Sequence, residues 1–186
     1  IGTQSPSYAL DVFGAARITG NTQLATTTAR AFNKVIIVDG VHYSQDSTGI
    51  QSAIDTLGSE GGKVFLPEGT YNITTTIKVP SNVTIEGVNA SSTILHLADG
   101  ANCNVIENQD TTNGNTNITL RNFKIDGNDG GNTCDSGAGC TAAIYLKYVD
   151  HSTIENLWVY DFEDDGIEFY EGSHNIISSS RLESNG

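Results

Sequence analysis

The stretch GGKVFLPEGTY, residues 61–71, decides the fold. Two glycines open it, a short strand follows, and a proline closes that strand. Val64 and Leu66 alternate with Lys63 and Phe65, so one face of the strand is buried. Pro67 brings no N–H to a ladder, and Gly69 permits a turn that most side chains forbid.

Upstream, residues 35–38 form an apolar run of strand length. Asp46 or Ser47 can then cap a helix over residues 47–57. Ile50, Ala53, Ile54 and Leu57 fall on one helical face, and Gly58 is placed to stop it. A short amphipathic helix directly before a β-rich body has a physical task. It covers the open end of a stack of strands, which would otherwise pair edge to edge. The combined pattern D-(T/S)-x-x-I-Q-x-A-I-D followed by G-G-x-V-x-L-P-x-G-x-Y closely resembles the first-coil signature of the pectate-lyase-like superfamily. The resemblance covers residues 39–71 and implies an all-β chain: a right-handed parallel β-helix with an N-terminal capping α-helix. It names a scaffold and leaves the reaction open.

The remainder of the chain repeats. VTIEGV (83–88), ITLRNFKID (118–126), TIENLWVYD (153–161) and IISSSRLES (176–184) share one alternating apolar pattern. Aligning Ile85, Leu120, Ile154 and Ile177 gives steps of 35, 34 and 23 residues. The last step approximates one turn of a parallel β-helix, and the longer two imply inserted loops of about a dozen residues. QDTTNGNT (109–116) and DGNDGGNTCDSGAGC (126–140) are the natural insertions. His151 and His174, also 23 apart, then stack in successive coils. The final RLESNG stops inside a repeat with no cap, so the natural protein is expected to continue beyond Gly186.

Residues 1–33 differ in texture, with short apolar pairs between glycines and a Ser-Pro turn, too little to bury a core alone. Their SPSYALDVFGAARIT (5–19) resembles the SPxYxLDVxGxxRIT segments of tail-fibre and tailspike proteins of bacterial viruses, which form trimeric necks. The domain reading is therefore a β-rich neck and linker over 1–33, then β-helix coils over 34–186. The chain begins Ile1-Gly2 and contains no Met, and is read as a fragment or processed chain.

Composition narrows the partners. A net charge of −13 among 186 residues repels phosphate backbones and argues against nucleic acid. No apolar run approaches the roughly 20 residues of a membrane span. Neutral sugars, or cations held between carboxylates, suit this surface better. Cys134 and Cys140 flank a short glycine-containing loop and either bridge or remain thiols.

Chemistry concentrates in YDFEDDGIEFYEG, which carries Asp161, Glu163, Asp164, Asp165, Glu168 and Glu171. A carboxylate pair can hydrolyse a glycosidic bond, its spacing setting retention or inversion. Alternatively, aspartates of neighbouring coils hold Ca²⁺ for β-elimination on uronic acids. The catalytic candidates are Asp161, Asp164, Asp165 and Glu168. β-Helix turns are also rich in Asp, Asn and Gly because these residues tolerate the bend. Trp158 and Tyr160 alternate with inward aliphatics and so point outward, as a sugar platform or as a covered surface. With His151 and His174 they form the substrate-binding candidates. Residues 126–132 offer Asp126, Asn128 and Asp129 as oxygen ligands, but Gly137 stands where a calcium loop has its closing Glu. No metal or other cofactor is assigned. Together the two resemblances imply a tailspike or tail fibre on the virion, a homotrimer that binds and cleaves a surface polysaccharide. A non-catalytic adhesin and a secreted pectin-active enzyme are the alternatives.

Overall fold

The structure, a computed structural model, describes residues 34–133 and 142–186. The neck segment 1–33 and both Cys134 and Cys140 lie outside the described residues.

The helix α1 (Ser47–Leu57) is capped by Asp46, whose carboxylate accepts the Gly49 N–H at 2.8 Å. That bond, more than any other contact, holds the Asp46 carboxyl below its usual range. Ser47 is the first helical residue and not the cap. Its hydroxyl instead accepts from the Thr74 N–H at 3.3 Å and the Thr75 hydroxyl at 3.2 Å. Gly49 has a packing reason: a Cβ there would lie 1.9 Å from the Ser44 carbonyl oxygen. Ile50, Ala53, Ile54 and Leu57 are buried, as their spacing predicts, and Gly58 ends the helix with φ +70°.

Among the described residues fifteen strands follow one repeating path. The helix is preceded by β1 (Val35–Ile37) and followed by β2 (Gly62–Leu66), β3 (Gly69–Ile73) and β4 (Ile77–Val79). Next come β5 (Val83–Gly87), β6 (Thr93–Leu97), β7 (Ile106–Asn108), β8 (Thr119–Arg121) and β9 (Lys124–Asp126). A 3-10 turn at Asp129–Gly131 leads towards β10 (Ile144–Asp150), β11 (Thr153–Glu155) and β12 (Trp158–Phe162). The path ends with β13 (Ile167–Ser173), β14 (Ile176–Ser178) and β15 (Arg181–Asn185). They build three parallel sheets: β1-β2-β5-β8-β11-β14, β3-β6-β9-β12-β15 and β4-β7-β10-β13. This is the parallel β-helix that the motif implies. Ile85 pairs with Leu120, Leu120 with Ile154 and Ile154 with Ile177, the alignment drawn from the repeats.

Each sheet sends stacked side chains inward. Val64, Ile85, Leu120 and Ile154 stack on the first sheet; Tyr71, Leu95, Ile125 and Val159 on the second; Ile77, Ile106 and Ile144 on the third. All are 0–1% exposed, and each aliphatic contributes about 1.5–3 kcal/mol through burial. The motif's Tyr71 belongs to this column. Its hydroxyl donates to the Pro67 carbonyl at 3.0 Å, and burial pushes its pKa up to about 12.

Corners are turned by left-handed residues in register. Asn82, Asn117, His151 and His174 occupy one such corner with φ of 55–64°, and Asn122, Asn156 and Ser179 another with φ of 50–63°. Asn tolerates this conformation better than most residues. Side chains of adjacent coils join there: Asn117 Nδ2 donates to Asn82 Oδ1 at 3.0 Å, and Asn156 Nδ2 to Asn122 Oδ1 at 2.9 Å. The inserted loop after β7 is tied down by buried amides. Asn108 Nδ2 donates to Asn115 Oδ1 at 3.0 Å, and its Oδ1 accepts the Lys147 N–H at 2.8 Å.

Among the described residues no coil lies below the first, and each sheet closes that edge differently. On the first sheet β1 pairs with β2. On the second, Asn72 donates its N–H to the Gln45 carbonyl at 3.4 Å within an isolated bridge between Asp46 and Asn72. On the third, the Gln51 amide stands in for a strand: Oε1 accepts the Lys78 N–H at 2.8 Å, and Nε2 donates to the Lys78 carbonyl at 3.2 Å. Among the described residues no helix is long and apolar enough to cross a membrane.

Gln51→Ala is expected to destabilise the protein by about 1–3 kcal/mol in urea unfolding, because both Lys78 backbone groups lose their partner. Gln51→Glu, which keeps the acceptor, should lose less. On the outer face of the first sheet, burial raises the Glu86 pKa, but hydrogen bonds and charge from Lys63 and Arg121 together outweigh it and leave the group below its ordinary value. A depressed pKa stabilises the fold above the unfolded value near 4.5 and loses that contribution as pH falls through the folded one. Melting curves between pH 6 and 3 should therefore fall less steeply for Glu86→Gln than for the parent.

Candidate functional site

The acidic run is divided by the fold. Asp161 sits at a left-handed position, φ +65°, in a break within β12 that stacks against Ser184, φ +53°, in β15. Its carbonyl oxygen lies so close to Gly127 that a Cβ there would come within 2.3 Å. Asp164 and Asp165 form the bend between β12 and β13, and their carbonyls accept the Gly186 and Ala143 N–H groups at 3.0 and 3.2 Å. Glu168 stands on the outer face of β13. Burial first, then the charges of Asp165 and Asp164, raise its pKa. Asp164, Asp165 and Glu168 thus interact, while Asp161 serves a corner.

His151 and His174 stack face to face, centroids 4.7 Å apart and planes within 6°, as their spacing implies. Both occupy the corner that Asn82 and Asn117 fill in earlier coils. They continue an amide ladder as an aromatic one. Asp150 lies beside them and accepts from the Ser173 hydroxyl at 2.9 Å; that bond, the Ser173 N–H and the two histidines depress its pKa.

Trp158 and Tyr160 point outward from β12, as alternation predicts, with their rings edge to face at 6.1 Å. Neighbouring strands set Lys124 and Arg181 on either side of Trp158, 4.7 and 4.9 Å from its ring centroid. Lys124 also lies 4.6 Å from the Tyr160 ring. The indole faces therefore meet cations, each with its own carboxylate: Asp126 for Lys124 and Glu183 for Arg181.

The loop at residues 126–132 spends its polar groups on the protein. Asp126 binds Lys124 at 3.3 Å, and Asn128 Nδ2 donates to the Leu97 carbonyl and to Asp99. Among the described residues no three His, Cys, Asp or Glu side chains gather as a metal-ligand group.

The outer face of the third sheet brings together residues far apart in sequence. Lys78, Glu107, Tyr145 and Glu168 form one row across β4, β7, β10 and β13. Lys78 forms an ion pair with Glu107. Burial raises the Tyr145 pKa; Lys147 opposes this, and Glu168 and Glu107 reinforce it. Lys147 and Tyr170 pair in the next row. Tyr148 and Glu171 share a stacked left-handed bulge, φ +55° and +57°, so that Tyr148 follows Lys147 on the partly exposed side. Lys147 Nζ lies 5.3 Å from the Tyr148 ring centroid and 5.1 Å from that of Tyr170. Lys63, Lys78, Arg121, Lys124 and Arg181 each reach a carboxylate, and Lys34 reaches the Thr56 carbonyl. Among the described residues Lys147 alone has no carboxylate or carbonyl partner. A sequence signal for this face exists: two residues, not one, separate the inward Leu146 and Val149.

The family model described as rhamnogalacturonase A/epimerase, pectate lyase-like, matches residues 37–176. The pre-neck appendage protein of Bacillus phage phi29 is 33% identical over 93 residues, 49% of this chain and 10% of that protein. The pre-neck appendage protein of Bacillus phage B103 is 31% identical over 72 residues, 38% of this chain and 8% of that one. The match thus spans about a tenth of the length of these curated relatives. Among solved structures, ORF18 of Geobacillus virus E2 has a TM-score of 0.59 at 22% identity, covering 72% of this chain and 27% of that one. The A-module of the Azotobacter vinelandii mannuronan C-5 epimerase AlgE4 gives 0.58 at 18% identity, covering 82% and 50%. At such identities the structural likeness speaks for the fold alone.

The corner geometry makes a prediction. His151→Asn, which repeats the residue of two earlier coils, should leave the urea midpoint close to the parent's. His151→Val should cost about 1–2 kcal/mol, because a β-branched residue resists the left-handed conformation.

Proposed function

The chain belongs to the rhamnogalacturonase A/epimerase, pectate-lyase-like family, and from that membership we propose that it is part of a bacteriophage virion appendage that binds a host-surface polysaccharide and cleaves it. The phage relatives support the virion location. The neck-like sequence at 5–19 supports assembly as a homotrimer. The site is the outer face of the third sheet. One observation carries this assignment: Lys147, a cation with no carboxylate partner among the described residues of a chain of net charge −13, held between Tyr148 and the half-exposed Tyr170 next to Glu168. Aromatic rings offer flat apolar faces to pyranose rings, and the lysine and carboxylates offer partners to their hydroxyls.

In this reading Glu168 is the proton donor: burial first, then the charges of Asp165 and Asp164, shift its pKa upward, the direction that role needs. Asp161, His151 and His174 shape corners beside the site. Trp158 and Tyr160 belong to a neighbouring face already engaged with Lys124 and Arg181.

The test is binding and chain-shortening of three polymers: Bacillus cell-wall polysaccharide, rhamnogalacturonan and polymannuronate. The parent should bind and shorten at least one. Lys147→Gln and Tyr170→Ala should each weaken that binding tenfold or more without lowering the melting temperature by more than a few degrees, whereas Trp158→Ala should weaken it far less. Binding without shortening would leave an adhesin; equal binding by all variants would remove the site from this face.

A further inference from the structure

The loop after β7 carries a chemically labile pair, Asn113–Gly114, and the fold requires its glycine. Gly114 takes φ +87°, and a Cβ there would lie 2.0 Å from the Tyr148 carbonyl oxygen. A larger residue would push the loop off β10. A glycine nitrogen, with no side chain beside it, is the backbone nitrogen that most readily attacks the carboxamide of a preceding asparagine. Asn113 is exposed to the water that this reaction consumes.

One residue restrains both reacting groups. Asp110 Oδ2 accepts from Asn113 Nδ2 at 3.0 Å and holds the carboxamide. The Asp110 carbonyl accepts the Gly114 N–H at 3.0 Å and occupies the attacking nitrogen. Oδ1 of the same carboxylate accepts the Thr112 and Asn113 N–H groups at 2.9 and 2.8 Å and fixes the turn. The Asn113 N–H first, then the Asn113 carboxamide and the Thr112 N–H, hold the Asp110 carboxyl below its usual range. It therefore keeps the charge that makes it a strong acceptor.

We propose that Asn113 is a site of spontaneous deamidation, and that Asp110 slows the reaction by binding the Asn113 carboxamide and the Gly114 N–H. Hydroxide takes the Gly114 amide proton, and the nitrogen bonds to Asn113 Cγ. The bond from Cγ to the side-chain nitrogen breaks, and that nitrogen takes a proton from water and leaves as ammonia. Water then adds to either carbonyl carbon of the resulting succinimide, and the bond from that carbon to the ring nitrogen breaks. Addition at Cγ gives aspartate, and addition at the main-chain carbon gives isoaspartate. One water is consumed and one ammonia released.

Both products place a new negative charge beside Asp110, and isoaspartate lengthens the main chain by one atom. The loop passes this strain to the outer face of the third sheet. Asn115 Oδ1 accepts the Asp110 N–H at 2.8 Å and Asn108 Nδ2 at 3.0 Å, and Asn108 Oδ1 accepts the Lys147 N–H at 2.8 Å. The modification itself stands apart from the polysaccharide reading above.

The test holds the 186-residue parent, Asp110→Asn and Asn113→Gln at mildly alkaline pH. The peptide containing residue 113 is followed by mass spectrometry and isoaspartyl methylation, which separates it from the other Asn-Gly pair, Asn185–Gly186. The guanidinium-unfolded parent gives the unrestrained rate. Asp110→Asn keeps an oxygen for the turn and replaces the acceptor facing the Asn113 carboxamide by a donor. It should deamidate at Asn113 about tenfold faster than the parent, with melting curves establishing that it is folded. The unfolded parent should react faster still, and Asn113→Gln should stay intact, because glutamine must close a larger ring. In the converted fraction of the parent the Lys147 amide hydrogen should exchange faster. Equal rates for the folded parent and Asp110→Asn, or for folded and unfolded parent, overturn the restraint by Asp110. An intact Asn113 in the unfolded chain overturns the site itself, and unchanged exchange at Lys147 overturns its link to the outer face.

Discussion

The lower edge of the first coil is the constraint on which the rest of this structure depends. A parallel β-helix satisfies the backbone of each coil with the coil beneath, and among the described residues the first has none. Here the three exposed edges receive three unlike partners: the strand β1, a bridge at Asp46 and Asn72, and the side chain of Gln51. This gives the signature at residues 46–55 a physical content. Asp46 starts the helix, Ile50, Ala53 and Ile54 seat it on the column, and the glutamine between them replaces a strand of the third sheet. Once that base is closed, every later coil finds a complete edge to add to.

Much of this was legible because inward residues obey a period. Ile85, Leu120, Ile154 and Ile177 can be aligned by eye, and the sheet pairs them in that alignment. The helix, its buried face and its stop were equally plain. Its cap was not, since Asp46 and Ser47 both have capping side chains. Packing against Thr74 and Thr75 engages the serine and leaves the aspartate to cap.

The outward face was harder to read, for a reason rooted in geometry. Lys78, Glu107, Tyr145 and Glu168 are separated by 29, 38 and 23 residues, so no period marks them as neighbours. Local density drew attention to the acidic run instead, and only Glu168 of that run belongs to the row. Asp161 and the two histidines look chemically active in sequence, yet their backbones explain their positions: each turns a corner in the left-handed region. Trp158 was correctly placed as outward, but the residues beside it on β9 and β15 are set by strand register, and these bring Lys124 and Arg181 against its faces.

Coils of unequal length nonetheless share one register, the loop after β7 being held at its base by Asn108 and Asn115. The chain therefore has two independent dials. Rung contacts determine which residues meet on a flat side, and outgrowths at the vertices can lengthen or shrink without resetting that meeting. A lineage with this architecture is free to remodel the rim of its groove by insertion while the floor stays in place, so its members should diverge first in the lengths of their vertex loops and only later in the rows between them.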